Sequence, residues 1–221
     1  MTDDDTALAG IGPFFALDSL DEGTDWRPLG ALRDGRAFDE RVAYTADFLG
    51  RLAGVEIEPR VAASTMSLGL FARLLAPHLG AAALGIRLPA LDWDLTWWRP
   101  SESGPWPLAA TGAPVPPDLG KALVQNIFPL AEVIEERYSL SSQVLHGNAA
   151  SAVFGAVRMI ARARPELTES ALGIGRSLLD GPLHGAGAVV NPAEVDFLRT
   201  SCCLYYRVPG GGYCGDCVLR G

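Results

Sequence analysis

The chain has no surplus of positive charge. Its 221 residues carry 18 Lys and Arg against 26 Asp and Glu, a formal net charge of −8. No basic stripe is available to neutralise a phosphate backbone, which excludes a nucleic-acid surface. A secretory leader is missing as well: MTDDDTALAG is acidic and has neither a basic n-region nor a long apolar h-region. No uninterrupted apolar run approaches membrane-spanning length, because Arg, Asp or Pro breaks the greasy stretches. These absences predict a cytoplasmic protein without an integral membrane segment. A nucleotide fingerprint is absent too. GIGRSL (173–178) and GAGAVVN (185–191) lack the third glycine and a preceding strand, so they read as a helix break or a flexible link. His78, His146 and His184 are scattered and match no ligand spacing, which leaves a Rieske-type site unsupported.

What the chain does have is apolar content, 48% by residue, enough to bury a real core. Residues 1–12 read as a disordered acidic tail. In 38–53, Phe38, Val42, Ala46, Leu49 and Ala53 recur at helical spacing. Pro59 to about Leu84 is also helical in character, with Pro77 and Gly80 expected to kink or divide it. Leu91, Trp93, Leu95 and Trp97 then alternate with polar residues, the period of a strand. With the turn-like RPSESGP and the following WPLAATG they predict an antiparallel hairpin near 88–111. Asp118 is placed to cap the next helix. Helical periodicity returns over 119–163, broken near Tyr138–Ser139, and again from Pro165 to about Leu179. Gly-rich residues 181–190 read as a link. Asn191, Pro192 and Glu194 then have the N-cap, N1 and N3 chemistry of a helix start, predicting a short helix that leads to Cys202. The fold class expected is mainly α with a small antiparallel β-hairpin (α+β).

All four cysteines fall within sixteen residues, as Cys202, Cys203, Cys214 and Cys217 in a C-C-x10-C-x2-C pattern. In a reducing compartment such a cluster points to metal ligation rather than to disulfides. Four thiolates saturate either a tetrahedral zinc ion or a 2Fe–2S cluster. Cys214 and Cys217 could form a zinc knuckle, but adjacent Cys202 and Cys203 diverge along any regular backbone. A binuclear cluster, with its ligands spread over two irons, tolerates that pair more readily, so spacing favours iron–sulfur and leaves zinc open. The Pro209–Gly212 run allows a tight turn. Arg199, Arg207 and Arg220 are near in sequence and could favour the more negative reduced form. Trp97, Trp98 and Arg99 are candidate walls of a substrate pocket, against the plainer reading that the tryptophans seal the core. Asn148 is a polar residue on an Ala- and Val-lined helix, suited to hydrogen-bonding the cysteine loop. Tyr205 and Tyr206, beside the ligands, could shield it from water.

The segment R-T-S-C-C-L-Y-Y-R-V-P-G-G-G-Y-C-G-D-C-V-L (199–219) resembles the C-terminal signature of FhuF-like ferric-siderophore reductases. Ser67–Pro77 (S-x-G-L-x-A-R-L-x-x-P) and the G-N-A-A-S-A run at Gly147–Ala152 also resemble segments of that family. The resemblance implies that Cys202, Cys203, Cys214 and Cys217 hold a 2Fe–2S cluster. It implies an iron–sulfur oxidoreductase that reduces a ferric siderophore of hydroxamate type by one electron and releases Fe(II). Residues 13–190 would bind the siderophore and 191–221 the cluster; no family motif fixes the substrate contacts, for which Trp97, Trp98, Arg99 and Arg207 are the candidates from the residues themselves. Without a nucleotide motif, electrons would come from a donor protein such as a ferredoxin. The rival readings are a 2Fe–2S electron carrier or redox sensor without siderophore turnover, and a zinc or siderophore-binding module.

Overall fold

The computed structural model describes residues 3–21, 25–101 and 104–220. In chain order these form helix α1 (Asp3–Ala9), strand β1 (Arg27–Pro28), and helices α2 (Arg36–Ala53) and α3 (Pro59–Leu84). Strands β2 (Thr96–Trp98) and β3 (Leu108–Ala110) follow, then helices α4 (Leu119–Ala122), α5 (Phe128–Tyr138), α6 (Ser142–Ala163) and α7 (Thr168–Asp180). Strands β4 (Gly187–Asn191) and β5 (Asp196–Arg199) lead into the cysteine segment. The protein is 58% helical with two small antiparallel sheets. The expected mainly α architecture with a small β element is what forms.

The frame is the seam between α3 and α6, which pack along one another. Leu70, Phe71 and Leu74 of α3 meet Leu145, Val153, Phe154 and Val157 of α6 in a core that continues from Leu8 to Val208. Both helices are long and apolar enough to cross a membrane by length and composition, yet 72% and 67% of the relevant windows are buried inside the fold. That is the burial of core helices. The expected division of α3 does not occur. Pro77 removes one N–H without ending the helix, and Gly80 serves as a notch, because a Cβ there would lie 2.7 Å from the Phe15 ring and 3.0 Å from Leu8. α7 likewise runs unbroken through Gly173 and Gly175; at Gly175 a Cβ would crowd Phe154 at 3.1 Å.

The expected disordered tail is corrected where it is described. Asp3–Ala9 is helical, its three first-turn aspartates placed where the helix dipole favours anions, and Leu8 is fully buried. Residues 1–2 lie outside the described residues. Arg73 anchors the segment that follows α1. Its Nη1 and Nη2 donate to the carbonyls of Phe14 (2.9 Å) and Ala16 (2.7 Å), and its Nε donates to that of Trp106 (2.5 Å). Asp18 stands 3.8 Å away, and burial pulls the guanidinium down to about 10, still charged at neutral pH.

The hairpin exists but is shorter than its alternation implied, and β1 joins it as a third strand beside β2. Residues before Thr96 form a turn: Asp92 Oδ1 accepts from the N–H groups of Asp94 and Leu95, and Thr96 N–H donates to Asp92 O. The alternation of 91–95 therefore arises from an Asx turn rather than a strand. Residues 102–103 of the expected hairpin turn lie outside the described residues. Asp118 caps α4 as expected, accepting from Lys121 N–H at 2.9 Å. Ser139, at φ 50°, separates α5 from α6.

The short helix expected after Asn191 is corrected to a strand. Asn191 does cap, accepting from Ala193 N–H at 3.2 Å, but only the single 3-10 turn Pro192–Glu194 follows. Val195, at φ 52°, ends it, and β5 pairs antiparallel with β4 across a bulge. Residues 187–190, expected as part of a link, are strand. Phe197 is fully buried and stacks on Phe154 with ring centroids 4.3 Å apart.

Candidate metal centre

β5 hands the chain to Thr200 and Ser201, and each residue up to Cys203 is tied down. Thr200 N–H donates to Ala186 O and its Oγ1 to Gly185 O (2.7 Å); Ser201 Oγ donates to Gln143 O at the start of α6 (2.7 Å). Cys203 O accepts from Ser64 Oγ on α3 at 2.8 Å. Asn148 on α6 completes the link, its Nδ2 donating to Ser64 O (2.9 Å) and Ser67 Oγ (2.8 Å) and lying 3.2 Å from Ser64 Oγ. The expected bond from Asn148 to the cysteine loop is thus made through Ser64. Ser64 itself went unnoticed, although a serine pair in the Ala- and Leu-rich α3 was the available signal. Next to Asn148, Gly147 leaves the room the loop occupies. A Cβ there would meet Ser201 Oγ at 2.3 Å and Arg199 Nη2 at 2.6 Å.

After the cysteine pair, Leu204 adopts φ 66°, uncommon for a branched side chain, and its N–H donates to Cys202 Sγ at 3.3 Å. Gly210 and Gly212 hold φ 78° and 67°, the left-handed conformation that the PGGG turn requires. The second pair closes as a turn, Cys217 N–H donating to Cys214 O at 3.2 Å, while Leu219 N–H donates to Cys217 Sγ at 3.4 Å. Arg199 N–H donates to Asp216 O (3.1 Å), and Asp216 pairs with Arg158 of α6 at 2.8 Å. The two cysteine pairs are brought together: Cys203 Sγ lies 3.6 Å from Cys214 Sγ. Cys203 and Cys217 are buried, and Cys202 and Cys214 partly exposed.

Charge follows geometry. The Cys214 thiol beside Cys203 holds the Cys203 thiol down to about 6, and the same contact pushes Cys214 up. Burial pushes Cys202 up. Among the described residues no three His, Cys, Asp or Glu side chains are gathered closely enough to hold a metal ion. A close sulfur pair with backbone N–H groups directed at the remaining two thiols suits a binuclear cluster, whose sulfurs accept such bonds. Arg199 adds a buried guanidinium whose Nε and Nη1 have no partner among the described residues. A buried cation with two unsatisfied nitrogens, in the field of Cys203, Cys214 and Cys202, fits an anionic group. The sequence model of the FhuF 2Fe-2S C-terminal domain matches residues 199–219, and the four cysteines fit its motif.

The C-terminal segment is thus similar to the FhuF 2Fe-2S C-terminal domain over residues 199–219. Its cofactor is a 2Fe–2S cluster. No curated protein sequence matches the chain.

The other expected site residues are dispersed. Arg207 belongs to the FhuF segment, where it is exposed and paired with Glu58 at 2.9 Å. Trp98 is buried in the hairpin sheet, stacked on Trp106 at 4.7 Å. It lines a cavity of about 360 Å3 with Arg41, Tyr44 and Trp106. Trp97 is half-buried, and Arg99 lies over the Trp26 ring at 5.2 Å. A different cavity, of about 290 Å3, opens at the cysteines. Cys214, Gly215 and Asp216 form one end, Leu68 and Ala72 of α3 and Ala152 and Gly155 of α6 the walls, and the buried, unpartnered Ser151 hydroxyl lines it. Ser151 is the serine of the G-N-A-A-S-A run at Gly147–Ala152, which was its signal in the sequence. No residue is common to the linings of the two cavities.

The Ser64 link yields a test. Ser64→Ala leaves Cys203 O without its side-chain donor, while Asn148 keeps its bonds to Ser64 O and Ser67 Oγ, and is expected to cost about 1–2 kcal/mol. Urea unfolding should show that loss, and the cluster should bleach faster under chelator than in the unsubstituted protein. An unchanged midpoint and bleaching rate would remove the link from the account.

Proposed function

We propose that the protein is a cytoplasmic ferric-siderophore reductase that passes one electron to a ferric chelate of hydroxamate type. The observation that carries this reading is the FhuF-like segment itself, with Cys202 and Cys214 partly exposed and Cys203 and Cys217 buried. A bound 2Fe–2S cluster supplies electrons one at a time. Hydroxamate oxygens hold Fe(III) tightly and Fe(II) weakly, so one electron frees the metal and leaves the ligand intact.

The chain's part is to seat the chelate against the exposed edge. Tyr206 and Tyr213 are exposed there, at 44% and 54%, and offer apolar faces for a chelate, with Arg207 as the charged group between them in sequence. Ser64, Asn148 and Gly147 fix the loop that carries Cys203, so the docking surface needs no reordering. The glycine-containing stretches do not form a nucleotide cradle: GIGRSL lies inside α7, and GAGAVVN forms a turn and β4. This favours a protein electron donor, such as a ferredoxin.

A single-turnover experiment tests the reading. Protein reduced by dithionite, freed of reductant and mixed anaerobically with a ferric hydroxamate and an Fe(II) trap should reoxidise and yield Fe(II) in equal electron equivalents. Protein that keeps its electrons against every chelate in a panel of ferric siderophores would leave the electron carrier or redox sensor in its place.

A further inference from the structure

Three arginines border the cysteines, and the fold treats them differently. Arg207 is exposed and neutralised by Glu58. Arg220 is exposed and donates to Gly215 O at 3.0 Å. Arg199 is 1% exposed, and among the described residues its guanidinium makes one hydrogen bond, from Nη2 to Val144 O at 3.1 Å. Nε and Nη1 are buried without a partner. A guanidinium sealed from water with two of its nitrogens unsatisfied costs several kcal/mol unless an anion offsets it. The acidic groups nearest in its field are Cys203, Cys214, Asp216 and Cys202, and Asp216 is already engaged by Arg158 at 2.8 Å. The thiols are what remains.

We infer that Arg199 is the built-in counter-charge of the 2Fe–2S centre and the residue that sets its reduction potential. The inference rests on the cluster and not on the siderophore reading, so it holds whether the electron goes to a chelate or to another protein. The physical ground is a difference between two states. A cysteine-ligated 2Fe–2S centre is anionic and gains a further negative charge on reduction, so a fixed cation in a low-dielectric surround stabilises the reduced form more than the oxidised one. Solvated Arg207 and Arg220 act through water and ions, where the same charge is worth far less. Arg199 is therefore a positioning residue: it does not touch substrate but tunes the group that does the chemistry. Gly147 belongs to the same device. Its missing side chain makes room for the guanidinium, since a Cβ would stand 2.6 Å from Nη2.

The test is an anaerobic redox titration of the cluster-loaded protein, followed by visible absorption and by the electron paramagnetic resonance signal of the reduced form. Arg199→Gln and Arg199→Met should lower the ratio of reduced to oxidised cluster at a fixed poise by about tenfold or more. For a one-electron couple that is a fall of about 59 mV or more. Arg207→Gln, which removes a charge from the same segment, should leave the ratio within about twofold. Gly147→Ala keeps every charge but crowds the guanidinium out of its place, and should shift the ratio in the direction of the Arg199 variants. If neither neutral variant retains a cluster, Gly147→Ala decides alone, and an unchanged potential there overturns the inference. So does a loaded Arg199→Gln or Arg199→Met protein with the original potential, or an Arg207→Gln shift as large as theirs. None of these outcomes depends on turnover of a ferric chelate, so the two readings fail separately.

Discussion

Replacing Cys203 by alanine should strip the protein of its iron and of its visible absorption. Cys203 is 4% exposed, its carbonyl is held by Ser64, and its sulfur sits 3.6 Å from that of Cys214. The chain has no fifth cysteine to take its place. Retention should fall by more than the ~10–100-fold that loss of a supporting outer partner costs a metal site. The loss should also be structural but local. Metal binding contributes folding free energy to the segment that supplies the ligands, whereas the α3–α6 seam is held by its own apolar packing. Limited trypsin digestion should therefore cut the Cys203→Ala chain early at exposed Arg207 and Arg220 while the helices resist. A purified variant with the original spectrum and iron content would mean that Cys203 is not a ligand.

The second large effect lies in the middle of α3. Arg73→Met should destabilise the fold by about 3–5 kcal/mol, because it leaves the carbonyls of Phe14, Ala16 and Trp106 unpaired where a buried guanidinium had satisfied all three. At roughly 2–4 °C per kcal/mol for a domain of this size, the unfolding temperature should drop by about 10 °C. The cluster spectrum of the folded variant should stay as it was, since Arg73 is bonded to the N-terminal segment and the hairpin and to none of the cysteines. A drop under about 2 °C would show that water replaces the guanidinium without loss.

What was legible in the sequence follows from how local each signal is. Four cysteines in one short window state their purpose without any fold, and a FhuF resemblance over 21 residues needs no tertiary context. Asp118 and Ser139 were readable for the same reason, since a cap or a break is decided within one helical turn. The misreadings came from patterns with two local solutions. Leu91, Trp93 and Leu95 alternate as a strand would, but Asp92 folds the chain back on itself before pairing can begin. Asn191 caps a helix that never grows, because Val195 ends the turn and the buried faces of Phe197 and Arg199 demand a strand period. The state of Arg199 was beyond the sequence altogether. Its charge was visible, but the state of its guanidinium depends on Gly147 and Val144 of α6 and on Cys214, fifteen residues further along the chain, as well as on the adjacent cysteine pair, brought together only by packing.

The stacking of Phe197 on Phe154 bears on what can be inherited together. Val195, Phe197 and Val208 lie in the same apolar interior as α3 and α6, and the backbone between them is pinned to Gln143 and, through Ser64, to Asn148. The signature is thus not a portable cassette. Spliced onto a foreign scaffold, residues 191–220 would bring ligands and leave behind the surface against which those ligands acquire their spacing. A protein that acquires the cysteine pattern must acquire a matching groove between two helices with it, and the two are expected to travel as one unit of descent.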